Sequence, residues 1–250
     1  MSILSLGREN IYRGDLILVN EQHPLMLEMP VTHIAAISEG QPMVMDAYAA
    51  IMLRQIFDTM NAGDKIVPVS GYRTRCEQEE IYRQTKQAHG SKFTKQFVAL
   101  PDCSEHQTGL AIDLAENKPN IDMICPNFPY TGICGQFRQV ALEYGFVERY
   151  PAGKESITGI AHEPWHFRYV GAIHAAVMCK YGFVLEEYHD FLRENHSGAD
   201  NPLIFERAKQ CAQIFYCAAS AVTTRIDVGG AISCDVSGNN VDGFIVTLLK

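Results

Sequence analysis

Apolar positions recur along the chain in two rhythms. Met45, Tyr48, Met52, Ile56 and Met60 fall at helical spacing within residues 42–61, with Gly63 beyond them as a stop, and predict a first helix. Methionines are concentrated in and near this stretch, which suits a flexible core face. A second helix is expected from Arg75 to His89, closed by Gly90, a third over 135–144, and a fourth in the segment LEEYHDFLRE. The other rhythm has period two. In residues 109–115 (GLAIDLA), Leu110, Ile112 and Leu114 share one face of a strand and Ala111, Asp113 and Ala115 the other. In residues 165–170 (WHFRYV), aromatics take one face and His166 and Arg168 the other. Residues 15–19 (DLILV) and 66–70 add two more expected strands, the second running directly into Gly71-Tyr72-Arg73-Thr74.

From Asn195 the pattern changes. HSGADNPL has the composition of a linker, residues 203–222 are expected to form a helix, and 225–248 two short strands around glycine-rich turns. The expected organisation is a main domain over 1–195 and a C-terminal extension over 196–250, a helix plus hairpin without an assigned role.

Composition narrows the classes. With 250 residues, 47% hydrophobic and 20% charged, the chain has the makeup of a soluble folded protein. A formal charge of −8 argues against a nucleic-acid or anionic-membrane partner, which requires clustered Lys and Arg. No apolar run reaches the roughly 20 residues of a membrane-spanning helix, so no membrane anchor is expected. The opening residues MSILSLGRENIYRGD make a poor export signal, and the eight scattered cysteines contain no C-x-x-C pair. Reduced thiols and a cytoplasmic location are the expectation.

Chemistry is concentrated in two segments, Ser104-Glu105-His106-Gln107-Thr108-Gly109-Leu110-Ala111-Ile112-Asp113 and Glu163-Pro164-Trp165-His166. Asp113 interrupts an apolar strand, where an ionised carboxylate is costly unless paired or bound to a cation. His106 lies ahead of a glycine that can turn the chain towards the same strand end, and His166 begins a second strand. Each residue alone has an ordinary explanation. Together, two imidazoles and a carboxylate make a three-ligand zinc set of the open, catalytic kind. His162-Glu163-Pro164-Trp165-His166 also matches H-E-x-x-H, a motif that needs a helix. Pro164 and the strand-like residues after it disfavour that helix, so Glu163 is expected in a loop as a proton acceptor and His162 as a bystander. Arg73, between a strand and a helix, is the expected cation for a developing oxyanion.

The segments SGYRT, SEHQTGLAID and EPWHFRYVG resemble the zinc D,D-carboxypeptidases and D,D-dipeptidases of the VanY, VanX and VanXY group, whose pattern is S-G-Y-R, S-x-H-x-x-G-x-A-x-D and E-x-W-H. The connecting pieces are most similar to the VanXY enzymes, which combine both activities, and the likeness covers roughly residues 10–195. It implies an α+β fold, a small central antiparallel sheet flanked by helices, with one zinc ion per chain at the sheet's open end. It implies zinc ligands at His106, Asp113 and His166, a catalytic base at Glu163 and a transition-state arginine at Arg73. Ser104, Gln78 and Gln96 match substrate-pocket positions. The implied substrates are the D-Ala-D-Ala dipeptide and UDP-MurNAc-pentapeptide precursors, whose trimming removes the target of vancomycin. A carboxypeptidase or peptidoglycan endopeptidase without dipeptidase activity, and a non-catalytic zinc-binding relative, remain open alternatives, as does the oligomeric state.

Overall fold

The computed structural model describes residues 2–28, 30–37, 42–207 and 210–250. In chain order the first elements are β1 (Ile3–Gly7), β2 (Ile34–Ala36), β3 (Val44–Asp46), α1 (Ala47–Met60), β4 (Ile66–Ser70), α2 (Arg75–Phe97) and β5 (Ala111–Glu116). There follow α3 (Gly132–Ala141), β6 (Phe146–Tyr150), α4 (Glu155–Thr158), β7 (Glu163–Tyr169), α5 (Ala172–Tyr181) and α6 (Leu185–Asn195). The chain closes with β8 (Leu203–Arg207), β9 (Gln210–Ala218), β10 (Thr223–Asp227), β11 (Ser233–Gly238) and β12 (Gly243–Leu249). These elements group into two compact units, one continuous from Val19 to Cys179, the other made of Met1–Leu18 with Lys180–Lys250.

In the continuous unit an antiparallel sheet runs in the order β4-β5-β7-β6. The alternation in GLAIDLA and WHFRYV becomes its two faces. Ile112 and Leu114 of β5, with Phe167 and Tyr169 of β7, pack against Ala50 and Leu53 of α1 and Phe137 of α3 in the core. Each large apolar side chain buried there contributes about 1.5–3 kcal/mol. The opposite face carries Asp113, His166 and Arg168, all buried. The helices begin where their caps dictate. Asp46 accepts hydrogen bonds from the Tyr48 and Ala49 amides at the start of α1. Thr74 and Glu77 form a reciprocal capping box at the start of α2.

In the other unit β1 pairs with β10, and a four-stranded antiparallel sheet runs β11-β12-β9-β8. Ile11, Phe215, Ile226, Phe244, Val246 and Leu248 form its core.

Several sequence expectations are corrected. Residues 15–19 form no strand, although Leu16, Ile17, Leu18 and Val19 are buried. The Leu16 amide bonds to the Ser237 side-chain Oγ of β11 and that of Leu18 to the Asn239 carbonyl just beyond it, so isolated bonds replace a ladder. Residues 203–222 form β8 and β9 instead of a helix, although 208 and 209 lie outside the described residues. Leu203 and Phe205 are buried while Ile204 is exposed, a period-two pattern for which a helix has no use. The segment 225–248 holds parts of three strands instead of two, of which β11 and β12 pair as a hairpin, and no helix follows α6 among the described residues. Helix α1 ends at Asn61, left-handed at φ 49°, two residues before the expected glycine stop. Gly90, at φ 82°, breaks the helical backbone as expected, yet helical turns resume as far as Phe97. Glu163 is the first residue of β7, paired with Tyr150, and not a loop residue.

Candidate metal centre

The register of the continuous unit's sheet places three polar residues in a row across three adjacent strands: Ser70 of β4 opposite Asp113 of β5, and Asp113 opposite His166 of β7. His106 reaches the same place from a tight 3-10 turn, Glu105–Thr108, just before β5. That turn closes because Gly109 is left-handed at φ 73° and Thr108 Oγ1 donates to the Glu105 carbonyl at 2.6 Å. Gly71 is required for another reason. A Cβ there would lie 2.3 Å from the Val44 carbonyl oxygen, and the Gly71 carbonyl itself pairs with His106 Nδ1 at 2.8 Å.

One Asp113 oxygen lies 3.1 Å from His106 Nε2 and the other 2.9 Å from His166 Nδ1. One ligand atom from each of these three buried residues falls within 4.8 Å of the others, the spacing of a cation site. The imidazole environments select those atoms. His106 Nδ1 is held by Gly71, which leaves Nε2. His166 Nε2 faces Glu105 Oε2 at 3.6 Å, which leaves Nδ1. Those two facing atoms are buried and lie just beyond hydrogen-bond distance of each other, with no hydrogen-bond partner among the described residues. Two nitrogens and one carboxylate oxygen, with one outer imidazole nitrogen bonded to a carbonyl and the other facing a carboxylate, fit zinc. Glu163 stands beside them, Oε2 being 3.8 Å from His166 Nδ1.

The electrostatics follow from burial and pairing. Burial works against ionisation of Asp113, but His106 and His166 outweigh it and hold the carboxyl well below its usual range. Burial together with Arg73 pushes His106 down. His166 runs the other way: burial opposes its charge, yet the hydrogen bond to Asp113 and the facing Glu105 carboxylate raise it to about 9. Glu163 is raised to about 8, chiefly by burial, with Asp113 adding to the effect against His166 and Arg73. A carboxyl so placed can both hold and release a proton near neutrality.

Arg73 is oriented by three bonds, Nε to Ser70 Oγ at 2.7 Å, Nη1 to Gln78 Oε1 at 3.0 Å and Nη2 to Asp113 at 3.2 Å. Burial lowers its pKa while Asp113 opposes the shift. Three of its five N–H groups are thereby committed, leaving two for a substrate oxygen. These residues line a cleft of about 490 Å³ together with Ser104, Gln78, Ile81, Gln84, Tyr150 and Trp165. Gln78 is fully buried, its amide donating to the Ala99 carbonyl at 2.8 Å, so it both lines the cleft and braces Arg73. Gln96 is the residue the structure does not bring in. It is exposed on α2 beyond the Gly90 break and does not line the cleft.

Glu105 is the residue the sequence reading passed over. It is buried behind His166, with Oε1 at 2.8 Å from Arg149 Nε and 2.9 Å from Arg168 Nη1. Burial opposes its charge, but the two guanidiniums hold it ionised. Its signal was Arg168 on the His166 face of WHFRYV, a buried cation in need of a carboxylate.

A family model described as VanY, D-alanyl-D-alanine carboxypeptidase, matches residues 43–172. The chain is 40% identical over 179 residues to the bifunctional D-Ala-D-Ala dipeptidase and D-Ala-D-Ala carboxypeptidase VanXYC of Enterococcus gallinarum, covering 71% of this chain and 94% of that protein. Among solved structures it matches the vancomycin resistance D,D-dipeptidase VanXYg in complex with a D-Ala-D-Ala phosphinate analog. That match has a TM-score of 0.96 and 45% identity, and covers 100% of this chain and 99% of the other. It also matches a mutant of the D,D-pentapeptidase VanY from a VanB-type resistance cassette, in complex with Zn(II). There the TM-score is 0.56 at 32% identity, covering 70% of this chain and 98% of that one.

Proposed function

The chain belongs to the VanY family of D-alanyl-D-alanine carboxypeptidases, and from that premise we propose that it is a zinc-dependent D,D-peptidase of both kinds. It hydrolyses the D-Ala-D-Ala dipeptide and removes the terminal D-Ala from pentapeptide precursors, and so confers glycopeptide resistance. The observation that carries this reading is the convergence of the buried residues His106, Asp113 and His166 with Glu163 and Arg73 on the wall of one cleft. Among the described residues no helix is long and apolar enough to cross a membrane. Action on intracellular precursors places the enzyme in the cytoplasm.

His106 Nε2, an Asp113 oxygen and His166 Nδ1 would hold one zinc ion, which supplies a Lewis acid able to acidify water and polarise a peptide carbonyl. The rest belongs to the chain's own groups. Glu163 takes a proton from the attacking water as the new C–O bond forms. It returns that proton to the departing amino group of D-alanine as the C–N bond breaks. Arg73 presents its two uncommitted N–H groups to the carbonyl oxygen as charge develops there. Trp165, Tyr150 and Ile81 line the cleft and displace water around the peptide.

The test is D-alanine release from free D-Ala-D-Ala and from UDP-MurNAc-pentapeptide, each with and without a chelator. Release from both, abolished by chelation and restored by zinc, is expected. Release from one alone would assign the enzyme to a single branch, and release from neither would overturn the reading.

A further inference from the structure

His162 and Pro164 flank Glu163, and one polar cluster holds both. Arg138 of α3 is mostly buried, and its guanidinium is saturated. Nε donates to Glu148 Oε2 at 2.9 Å, Nη1 to the Pro129 and Cys134 carbonyls at 3.0 and 3.2 Å, and Nη2 to the Phe128 and Pro164 carbonyls at 3.0 and 2.5 Å. Its Cζ also sits 4.1 Å from the centre of the Tyr130 ring. Glu148 accepts in turn from the Tyr130 hydroxyl at 2.5 Å, and the same hydroxyl lies 2.7 Å from His162 Nε2. The Tyr130 and His162 rings stack, with 16° between their planes. A phenol has one proton. With that proton given to Glu148, His162 must donate its own Nε2–H, so the bonds run one way from His162 through Tyr130 to Glu148 and Arg138.

From this geometry we infer that Arg138, Glu148, Tyr130 and His162 form a positioning clamp for Glu163. One end fixes the residue before the proposed base through its imidazole, and the other fixes the residue after it through its carbonyl. None of the four lines the cleft, so the clamp acts through Glu163 alone. The need for it follows from the ladder. The register between β6 and β7 is irregular between Glu148 and Tyr150, where ordinary pairing would otherwise set the backbone beside Glu163. The histidine that makes H-E-x-x-H look like a helical metal motif thus serves as an anchor for the glutamate that follows it.

The inference rests on the proposed peptidase reading, and its test separates the two. Tyr130→Phe and His162→Asn alter the exposed end of the cluster and spare the buried guanidinium, so both variants should fold; Arg138→Lys is the third. We expect kcat on D-Ala-D-Ala to fall about tenfold to a hundredfold in each, with KM and bound zinc unchanged, because a small displacement of a reacting group is costly. In a Glu163→Gln background the same changes should have no further effect on the residual rate, since they act through that carboxylate. Independently of activity, hydrogen exchange in residues 160–165 should speed up about tenfold in Tyr130→Phe as local opening becomes easier. Unchanged exchange in that segment overturns the clamp, as do an unchanged kcat, an altered KM at constant kcat, or additive losses in the Glu163→Gln background. A wild-type enzyme that releases no D-alanine would instead sink the peptidase reading, leaving the exchange measurement to decide on the clamp.

Discussion

Asp113 is the residue from which most of the centre can be read. A carboxylate between Ile112 and Leu114 announces a partner in the sequence, and the structure supplies three in His106, His166 and Arg73. Glu163 was legible as a further carboxylate beside His166, and Arg73 as a guanidinium between a strand and a helix. Glu105 was hidden because its partners, Arg149 and Arg168, are far away in the chain and only the sheet brings them to it. Gln96 was misplaced because sequence does not fix the direction a helix takes after a break such as Gly90. Two expected outcomes belong at this scale. Glu163→Gln should keep zinc, measured by metal analysis, while turnover drops about 10²–10⁴-fold, the range for loss of a proton-transfer group. Glu105→Gln should weaken zinc binding about 10–100-fold in a chelator competition, since the carboxylate behind a ligand histidine sets its tautomer and orientation. It should also destabilise the fold by about 3–5 kcal/mol, because the guanidiniums it serves are left buried without their counter-charge.

Among the elements, those with a sharp local signal came through. The capping box of Thr74 and Glu77 starts α2 where the sequence changes character, and β5 and β7 carry their alternation unmistakably. Strands β8 and β9 did not, because LIFER followed by QCAQIFYCA satisfies either period over a short window, and pairing with neighbouring strands decides it. The turn after β4 shows how little room an element can leave. Gly71→Ala drives a methyl group into the Val44 carbonyl, and the expected result is a loss of about 1–3 kcal/mol in denaturant unfolding. Zinc affinity should fall with it, because the Gly71 carbonyl steers His106. A Gly71→Ala protein with wild-type stability and affinity would refute this account of the glycine in the SGYR segment.

For the molecule as a whole, acid sensitivity has an identifiable source outside the metal centre. His174 of α5 is buried, and burial depresses its pKa to about 4, whereas the unfolded chain titrates near the ordinary 6.5. Between those values the unfolded chain binds a proton that the folded one refuses. Stability is therefore full above about pH 6.5 and falls as pH drops towards 4, by up to about 1.4 kcal/mol per pH unit. Urea midpoints measured from pH 7 to 4.5 with chelator present should show a shallower decline for His174→Gln than for the unaltered chain. An identical slope would assign the acid sensitivity to other groups.

The grouping of Met1–Leu18 with Lys180–Lys250 has a consequence during synthesis. The continuous stretch Val19–Cys179 emerges from the ribosome with all its strand partners in hand and can fold while translation proceeds. Among the described residues β1 is paired by Thr223–Asp227, which follow it about 10–45 s later at ordinary elongation speeds. In that interval Ile3–Gly7 is an unpaired strand edge on a nascent chain. Premature termination near residue 195 would make that exposure permanent, a state that chaperones and proteases are equipped to recognise.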